Sequence, residues 1–453
     1  MKAIIFGTGG VYQKYKDCFK NMDIICFIDN DEKKWGKVVD NHNIVSPKTI
    51  LNMHYDYIFL VSNFFSDMRN QLLGMGIEES KIIDREHKGL FKKLIQTENY
   101  TFVSDNKNPK VLMISHTLDL TGAPIAFCKL AHILKNNGYC VTVYSERNCN
   151  TQYGHLLYDL LQDEISVKLF VDINEIKYTC VEEKYEFIWI NTITLLDIVK
   201  SVIPFSKKIF WWLHETEDLY NCIGKNIKYP MSDNLYVLTV GWMARESYER
   251  HSGQKVFKDL LYGIDDIKEK VEIDKEKSST IKCGIIGTYC KRKGQDILFS
   301  IIQEHSEWNT KVEFVFVGKM PNDIKERYES CINIKCMGEL TPEEISGLYQ
   351  TLDVLICPSL NDPMPIVVSE AMQHKKMCIV SDRVGQSHYI TNEIDGLVCV
   401  AGDKESLSDK IDWIIENKNK LKEMGDRSYK IYESNFKYSI FRNNVLSIME
   451  NDG

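Results

Sequence analysis

Short apolar runs, rich in β-branched and aromatic residues, recur along the chain and alternate with longer stretches of helical period. Three times a unit begins alike, with an apolar strand, a loop of small residues and an amphipathic helix. The first start is Lys2 to Phe6 followed by Gly7, Thr8, Gly9 and Gly10; the second is Val111 to Ser115 followed by a loop to Ala123; the third is Cys283 to Ile286 followed by Gly287 to Gly294. The second and third starts come after polar or charged stretches, Asp105 to Pro109 and Lys268 to Lys277, as expected of domain boundaries. Further strands are predicted at Ile24 to Ile28 and Tyr57 to Val61. In the second unit they fall at Cys140 to Tyr144, Phe187 to Asn191, Lys208 to Leu213 and Leu235 to Val240. In the third they fall at Val312 to Val317, Asp353 to Cys357, Met377 to Val380 and Leu397 to Val400. Runs apolar on both faces and separated by helices imply parallel sheets covered on each side. The pattern therefore predicts three doubly wound α/β domains, over 1–100, 109–270 and 271–453, with the last helix a candidate to cross back. Such folds bind ligands beyond the carboxyl ends of their strands, so chemistry is sought in the strand-end loops.

Length agrees with this count, since 453 residues at roughly 150 per domain give about three domains. Hydrophobic residues at 44% and charged residues at 26% exclude a largely disordered chain. Fifty-six Lys and Arg against sixty-four Asp and Glu leave a net charge of −8, which counts against a nucleic-acid partner. No apolar run approaches the roughly 20 residues that cross a bilayer. The chain starts as strand and glycine loop, not as a charged-then-apolar signal segment. Among 14 cysteines there is no C-x-x-C pair, and Cys283, Cys357, Cys378 and Cys399 sit in apolar runs. These features suggest a cytoplasmic protein with reduced thiols used as small core hydrophobes, and no metal site.

Four places could carry chemistry. Lys291, Arg292 and Lys293 precede Gly294, Gln295 and Asp296, with a helix opening at Ile297. Cations at a strand-to-helix loop suit a diphosphate, although most such runs are solvated surface. Farther on, a strand ends at Cys357 and a helix starts near Pro365, placing Asp362 in the loop and Glu370 inside an apolar helix. Two carboxylates around a helix start can grip polyol hydroxyls while free amides meet an anion. In the plainer alternative Asp362 caps the helix and Glu370 pairs with a cation. His214 follows the strand ending at Leu213 and could bond a ligand or be structural. Thr121, Gly122 and Ala123 precede Pro124 in a close-approach loop, or one that merely permits tight packing.

Together these pieces resemble the retaining GT-B glycosyltransferases of the family-four type, from about Lys110 onward. The resemblance rests on Thr121-Gly122-Ala123-Pro124, His214, Arg292-Lys293-Gly294-Gln295-Asp296 and an E-x7-E-like segment from Asp362 to Glu370. Gly318, Met337-Gly338-Glu339-Leu340 and Tyr349 to Ser359 support it. It implies two facing Rossmann-like domains and transfer of a hexosyl or N-acetylhexosaminyl group from a nucleoside diphosphate sugar, UDP favoured, with retention. The acceptor would be a glycan or lipid-linked molecule of surface polysaccharide or glycoconjugate biosynthesis. It also implies roles. Thr121 and Gly122 would let backbone approach the donor phosphate, and His214 would bond the transferred sugar. Arg292 and Lys293 would neutralise the diphosphate and Asp362 would touch sugar hydroxyls. Met364 and Ile366 would offer amides, Glu370 would hold the ribose, Gly338 to Leu340 would receive the nucleobase mainly through backbone groups, and Gly318 would belong to the donor-binding set. No D-x-D constellation stands at a suitable strand end, in keeping with metal independence and no cofactor beyond the co-substrate. Two departures are Asp at the first E-x7-E position and Thr288 where the family often has arginine. A non-catalytic nucleotide-sugar-binding scaffold and a GT-B sugar-nucleotide epimerase are the competing readings.

The first region is a separate matter. Gly7-Thr8-Gly9-Gly10 and then Asp29, ending the next strand, follow the spacing of dinucleotide-binding units, but Tyr12 breaks the G-x-G-x-x-G pattern. With Phe27-Ile28-Asp29-Asn30-Asp31 and Trp35-Gly36 the region resembles small Rossmann-like domains appended to polysaccharide-pathway enzymes. Gly7, Gly9, Gly10 and Asp29 are its nucleotide candidates; a sugar nucleotide or another protein are the other ligands considered. Lipid-linked acceptors in the resembling family would bring peripheral contact at the inner face of the cell membrane, although the net charge of −8 gives no general attraction to anionic lipid.

Overall fold

The computed structural model describes residues 2–9, 12, 16–19, 22–62, 65–83, 99–100, 102, 108–146, 154–170, 173–224, 227–267 and 279–450. Gly10, residues 105–107 and the segment Lys268 to Lys277 lie outside them. The chain divides into two compact units, Met1–Ile209 and Phe210–Gly453.

The first unit opens with the sheet order β3-β4-β2-β1-β5-β6. Its strands are β1 (Lys2–Phe6), β2 (Asp23–Ile28), β3 (Val38–Val39), β4 (His42–Val45), β5 (Tyr57–Leu60) and β6 (Ile82–Ile83). β1 is central, parallel to β2 on one side and β5 on the other. Its residues Ala3 to Phe6 are fully buried because both faces are covered, by Tyr12, Phe19 and Phe59 on one side and by Ile50, Leu60 and Leu72 on the other.

A second sheet runs β14-β13-β12-β11-β8-β9-β10-β7. In chain order these are β7 (Asn99–Tyr100), β8 (Lys110–Ser115), β9 (Cys140–Glu146), β10 (Ser166–Phe170), β11 (Phe187–Asn191), β12 (Lys208–Leu213), β13 (Leu235–Thr239) and β14 (Lys258–Asp259). After β8 the helix Gly122–Asn136 buries Phe127, Leu130, Ala131 and Leu134, the face that its 3.6-residue period sets toward the sheet.

The third sheet, entirely in the second unit, has the order β17-β16-β15-β18-β19-β20. Its strands are β15 (Ile281–Ile286), β16 (Val312–Val317), β17 (Ile334–Met337), β18 (Val354–Cys357), β19 (Met377–Ser381) and β20 (Leu397–Cys399). All five pairings are parallel, and the order reverses at β15 and β18, the switch point at which such sheets open a crevice. Trp308 and the stacked pair Phe299–Tyr328, with ring centroids 4.0 Å apart, fill one face. Cys283, Cys357, Cys378 and Cys399 are buried, and desolvation raises each thiol's pKa, so they remain neutral core groups. The last helix, Tyr438–Glu450, lies over the segment after β14: Gly263 leaves no space for a Cβ beside Tyr438 and Phe441, and Phe441 stacks on Trp212 at 5.8 Å. No helix among the described residues is long and apolar enough to cross a membrane.

Candidate functional site

The floor of the crevice is backbone. Beyond β15 and β16 the chain turns at Gly287 (φ 146°) and Gly318 (φ 125°). A Cβ on Gly318 would stand 2.6 Å from the Gly287 carbonyl oxygen and 3.0 Å from the Thr288 nitrogen, so only glycine fits. Gly318 N–H donates to the carbonyls of Met337 (3.3 Å) and Gly338 (3.1 Å), tying the β17 exit to the same floor. At Gly338 itself a Cβ would meet nothing within 4 Å, and Leu340 is half-buried ahead of the helix Pro342–Thr351.

Lys291–Lys293 form a single 3-10 turn closed by Gly294 in the left-handed region. A Cβ there would collide with the Pro358 carbonyl, and Leu360 N–H donates to Arg292 O at 2.7 Å. The buried Gln295 side chain accepts from Cys290 N–H (3.3 Å) and donates to Gly287 O (3.0 Å). The Gln295 side chain and the Leu360–Arg292 backbone bond thus pin the basic turn to the strand end and to the loop after β18.

The turn aims two of its cations at one acid. Lys293 Nζ donates to Asp362 Oδ2 at 2.7 Å, and Arg292 reaches the same oxygen at 3.2 Å while donating to Asn361 O at 2.7 Å. Asp362 is 6% exposed. Burial pulls the Lys293 ammonium down, but the Asp362 carboxylate outweighs it and the net pKa is raised. Lys293 is therefore charged at neutral pH, as is needed to meet a diphosphate. Lys291 is exposed and lines the cavity beside the turn.

Glu370 sits in the second turn of the helix Ile366–Gln373, and its Oε2 accepts from the buried Tyr349 hydroxyl at 3.0 Å. That hydroxyl also contacts Val367 O at 3.0 Å. Burial first and then the Glu370 charge raise the tyrosine pKa far above its ordinary value, so it donates. His374 stacks on the Tyr349 ring at 4.9 Å. Its Nδ1 donates to Glu370 O (2.8 Å), which leaves Nε2 to accept from Ser346 (3.3 Å), and burial lowers its pKa to favour this neutral form. The helix has Pro365 at its N-cap without a side-chain cap, so Asp362 does not fill that place. Met364 is buried, with its Cε against Gly241 and Gly385, and Ile366 supplies one of the first amides of the helix.

Within the second unit a cavity of about 520 Å3 adjoins the basic turn, with Glu217, Asp218, Trp242, Arg292, Asn361 and Arg383 in its wall. Trp242 Nε1 donates to Gly385 O (3.1 Å), and Asn361 Nδ2 donates to Asp218 (2.6 Å). His214 is half-buried beyond β12, its ring 4.6 Å from Trp212, and its backbone N–H donates to Glu215 Oε2 at 3.0 Å.

In the first unit Thr121 is the N-cap of the helix Gly122–Asn136, held by Asp119 through both its N–H (3.2 Å) and its hydroxyl, and a Cβ on Gly122 would meet nothing within 4 Å. At the other glycine loop, Gly7 has φ 107° and a Cβ there would lie 2.8 Å from Val61 O, whereas Gly9 faces open space. Asp29 is engaged by its own chain, accepting from Thr8 N–H (3.2 Å), Thr8 Oγ1 (2.5 Å), Asp31 N–H (3.0 Å) and Lys34 Nζ (2.9 Å). These bonds lower its pKa against the opposing effect of burial.

Sequence reasoning missed the support that Tyr349 gives Glu370, although the segment from Tyr349 to Ser359 had been singled out.

Three family descriptions match successive parts of the chain: C2185-like, N-terminal, over 1–83; Glycosyl-transferase family 4 over 107–240; and Glycosyl transferases group 1 over 264–431. The fold is GT-B. The chain belongs to the GT-B glycosyltransferases of the family-four type and carries a C2185-like domain in front. Among curated proteins it is 30% identical over 109 residues to the Escherichia coli UDP-Gal:alpha-D-GlcNAc-diphosphoundecaprenol alpha-1,3-galactosyltransferase, covering 23% of this chain and 28% of that one. It is 25% identical over 178 residues to spore coat protein SA of Bacillus subtilis (strain 168), covering 36% and 47%. The match thus spans less than half the length of either relative. Among solved structures, Anabaena HepE in complex with UDP and glucose superposes with a TM-score of 0.59 at 15% identity, covering 76% of this chain and 100% of that one.

Proposed function

We propose that the protein transfers a hexosyl or N-acetylhexosaminyl group from a nucleoside diphosphate sugar, UDP favoured, to a glycan or lipid-linked acceptor with retention at the anomeric carbon. The observation that carries this reading is the pair of cations on Asp362, Lys293 at 2.7 Å and Arg292 at 3.2 Å, set beside the first turn of the Glu370 helix. The activity of the Escherichia coli relative supports the UDP donor and a lipid-linked acceptor, and the UDP complex of HepE supports the same nucleotide.

In this reading the bond between the anomeric carbon and the diphosphate breaks while negative charge gathers on the departing oxygens. Lys293, Arg292 and the amides of Met364 and Ile366 stabilise that charge more in the transition state than in the ground state. Because the field is already in place, little reorganisation accompanies the step. Glu370, its orientation set by Tyr349, accepts from the ribose hydroxyls. The segment from Gly338 to Leu340, above the floor at Gly318, receives the base. Asp362 and His214 bond the sugar, and Thr121 and Gly122 leave room for the phosphate. The acceptor hydroxyl attacks from the side of the departing phosphate, a phosphate oxygen takes its proton, and no enzymic nucleophile is used. A lipid-linked acceptor would be met at the inner face of the cell membrane. The C2185-like domain would bind a nucleotide or a protein.

A thermal-shift screen of sugar nucleotides tests the donor reading, because selective binding raises the midpoint by mass action. NMR of the product then reads the anomeric configuration. If no nucleoside diphosphate raises the midpoint the reading fails, and an inverted product overturns retention alone.

A further inference from the structure

The cavity beside the basic turn holds charged side chains that the protein does not use itself. Glu217 accepts from Arg250 at 3.2 Å and pairs with His251 at 2.8 Å, and Asp218 accepts from Asn361 at 2.6 Å. Arg292 is held by Asp362 and by Asn361 O. That leaves Lys291, Arg383 and Glu246, which line the cavity and whose side chains make no hydrogen bond or ion pair among the described residues.

The framework that carries them is fixed. Trp242, Glu246 and Arg250 recur at intervals of four along the helix Trp242–Ser252, which puts them on one face. Trp242 Nε1 donates to Gly385 O at 3.1 Å, which locks the ring in the cavity wall. Just before Gly385, Arg383 N–H donates to Ser381 Oγ at 3.2 Å, and the Arg383 carbonyl accepts from Asp362 N–H at 2.9 Å. The unpaired arginine is thus one backbone bond from the residue on which Lys293 and Arg292 rest.

Two unpaired cations, one unpaired carboxylate and an aromatic ring describe a ligand. The cations call for an anion, and a concave wall concentrates their field. The carboxylate accepts from hydroxyls, and the indole offers apolar area to a sugar ring. A volume of about 520 Å3 is that of a small-molecule site. In the function proposed above, Lys293 and Arg292 meet the donor's diphosphate, so a second anion belongs to the acceptor.

We propose that this cavity is the acceptor subsite and that the acceptor is a phosphorylated saccharide, its phosphate met by Lys291 and Arg383, its hydroxyls by Glu246 and its ring by Trp242. The inference rests on the donor reading and goes further by naming the acceptor's charge and the residues that select it. A neutral glycan leaves both cations without a counter-charge and binds more weakly.

The test is calorimetry on the full chain in saturating UDP, which fills the donor phosphate site so that the probe reads the cavity. The probes are the 1-phosphates of glucose, galactose and N-acetylglucosamine, the matching methyl glycosides, and inorganic phosphate. At least one sugar phosphate should bind about tenfold tighter than its methyl glycoside, the order of one hydrogen bond to a charged group, and tighter than phosphate alone. Arg383→Gln should erase that preference and leave the UDP-induced rise in melting midpoint intact. Glu246→Gln should weaken the sugar phosphate and the methyl glycoside alike. Both replaced side chains are exposed, so the ligand-free midpoints should match the wild type. An alkyl diphosphate of the same sugar separates two sources of the anion: tighter binding than the monophosphate assigns it to a carrier-lipid link, equal binding to the saccharide itself. The inference is overturned if no sugar phosphate binds, if phosphorylated and neutral sugars bind alike, or if inorganic phosphate binds as tightly as either. A preference that survives Arg383→Gln overturns it too. All of these outcomes leave the donor reading standing, whereas a wild type that gains no stability from UDP, GDP or ADP sinks that reading and the inference with it.

Discussion

Asp29 and Asp362 each lie beyond a parallel strand of a doubly wound sheet, β2 and β18, but they are held in opposite ways. Asp29 accepts from two backbone amides and the Thr8 hydroxyl as well as from Lys34. Asp362 has two long cationic side chains on one oxygen. The backbone donors of Asp29 cannot leave without unfolding the loop, whereas the cations of Asp362 can swing away by rotating side-chain bonds. The same topology thus supplies a fixed brace in one sheet and an exchangeable pair in the other. Under the proposed function, that exchangeability is what suits the third sheet to meet a diphosphate.

Lys293→Ala should break the comparison most visibly. Turnover is expected to fall at least ~100-fold, the scale for one preorganised charge contact, with wild-type turnover counting against the role given to that cation. Asp29→Ala should act the other way, lowering unfolding free energy in a denaturant titration by about 2 kcal/mol through stranded donors while leaving nucleotide affinity at the third sheet unchanged. A loss of that affinity would undo the contrast. Glu370→Ala should weaken nucleoside diphosphate binding about tenfold by calorimetry, with a smaller loss in turnover.

The smallest effect is in pH. The native pKa of Asp29 is depressed, so its contribution to stability is present above the ordinary aspartate value of 3.8 and is lost as pH falls through the native value. The native pKa of Lys293 is raised, so its contribution is present below the ordinary 10.5 and is lost as pH rises through the native value. Acid melts of Asp29→Asn and alkaline melts of Lys293→Met should each flatten one limb of the stability profile and leave the other intact.

The strands were legible because parallel strands buried on both faces read as continuous apolar runs: Phe187–Asn191, Lys208–Leu213 and Val312–Val317 lie where the pattern put them. The short or marginal strands were not, since His42–Val45 and Ile334–Met337 mix polar and apolar residues over four positions and lack a clear period. At the site, the basic turn and the Asp362 to Glu370 segment stood out by residue type. Their meeting did not, because Lys293 and Asp362 are 69 residues apart and their contact is made by the fold. Tyr349 is a polar tip on an apolar body, and a sequence does not reveal which way the tip points.

The glycine contact between the exits of β15 and β16 has a bearing on redesign. With Gly318 packed on the Gly287 carbonyl, that part of the crevice presents main chain alone and offers no side chain to exchange. Under the proposed function, a mutant library meant to alter which nucleotide sugar is accepted belongs at the rim, from Gly338 to Leu340, while saturation of position 318, where any Cβ meets the Gly287 backbone, would return misfolded protein and teach nothing about selectivity.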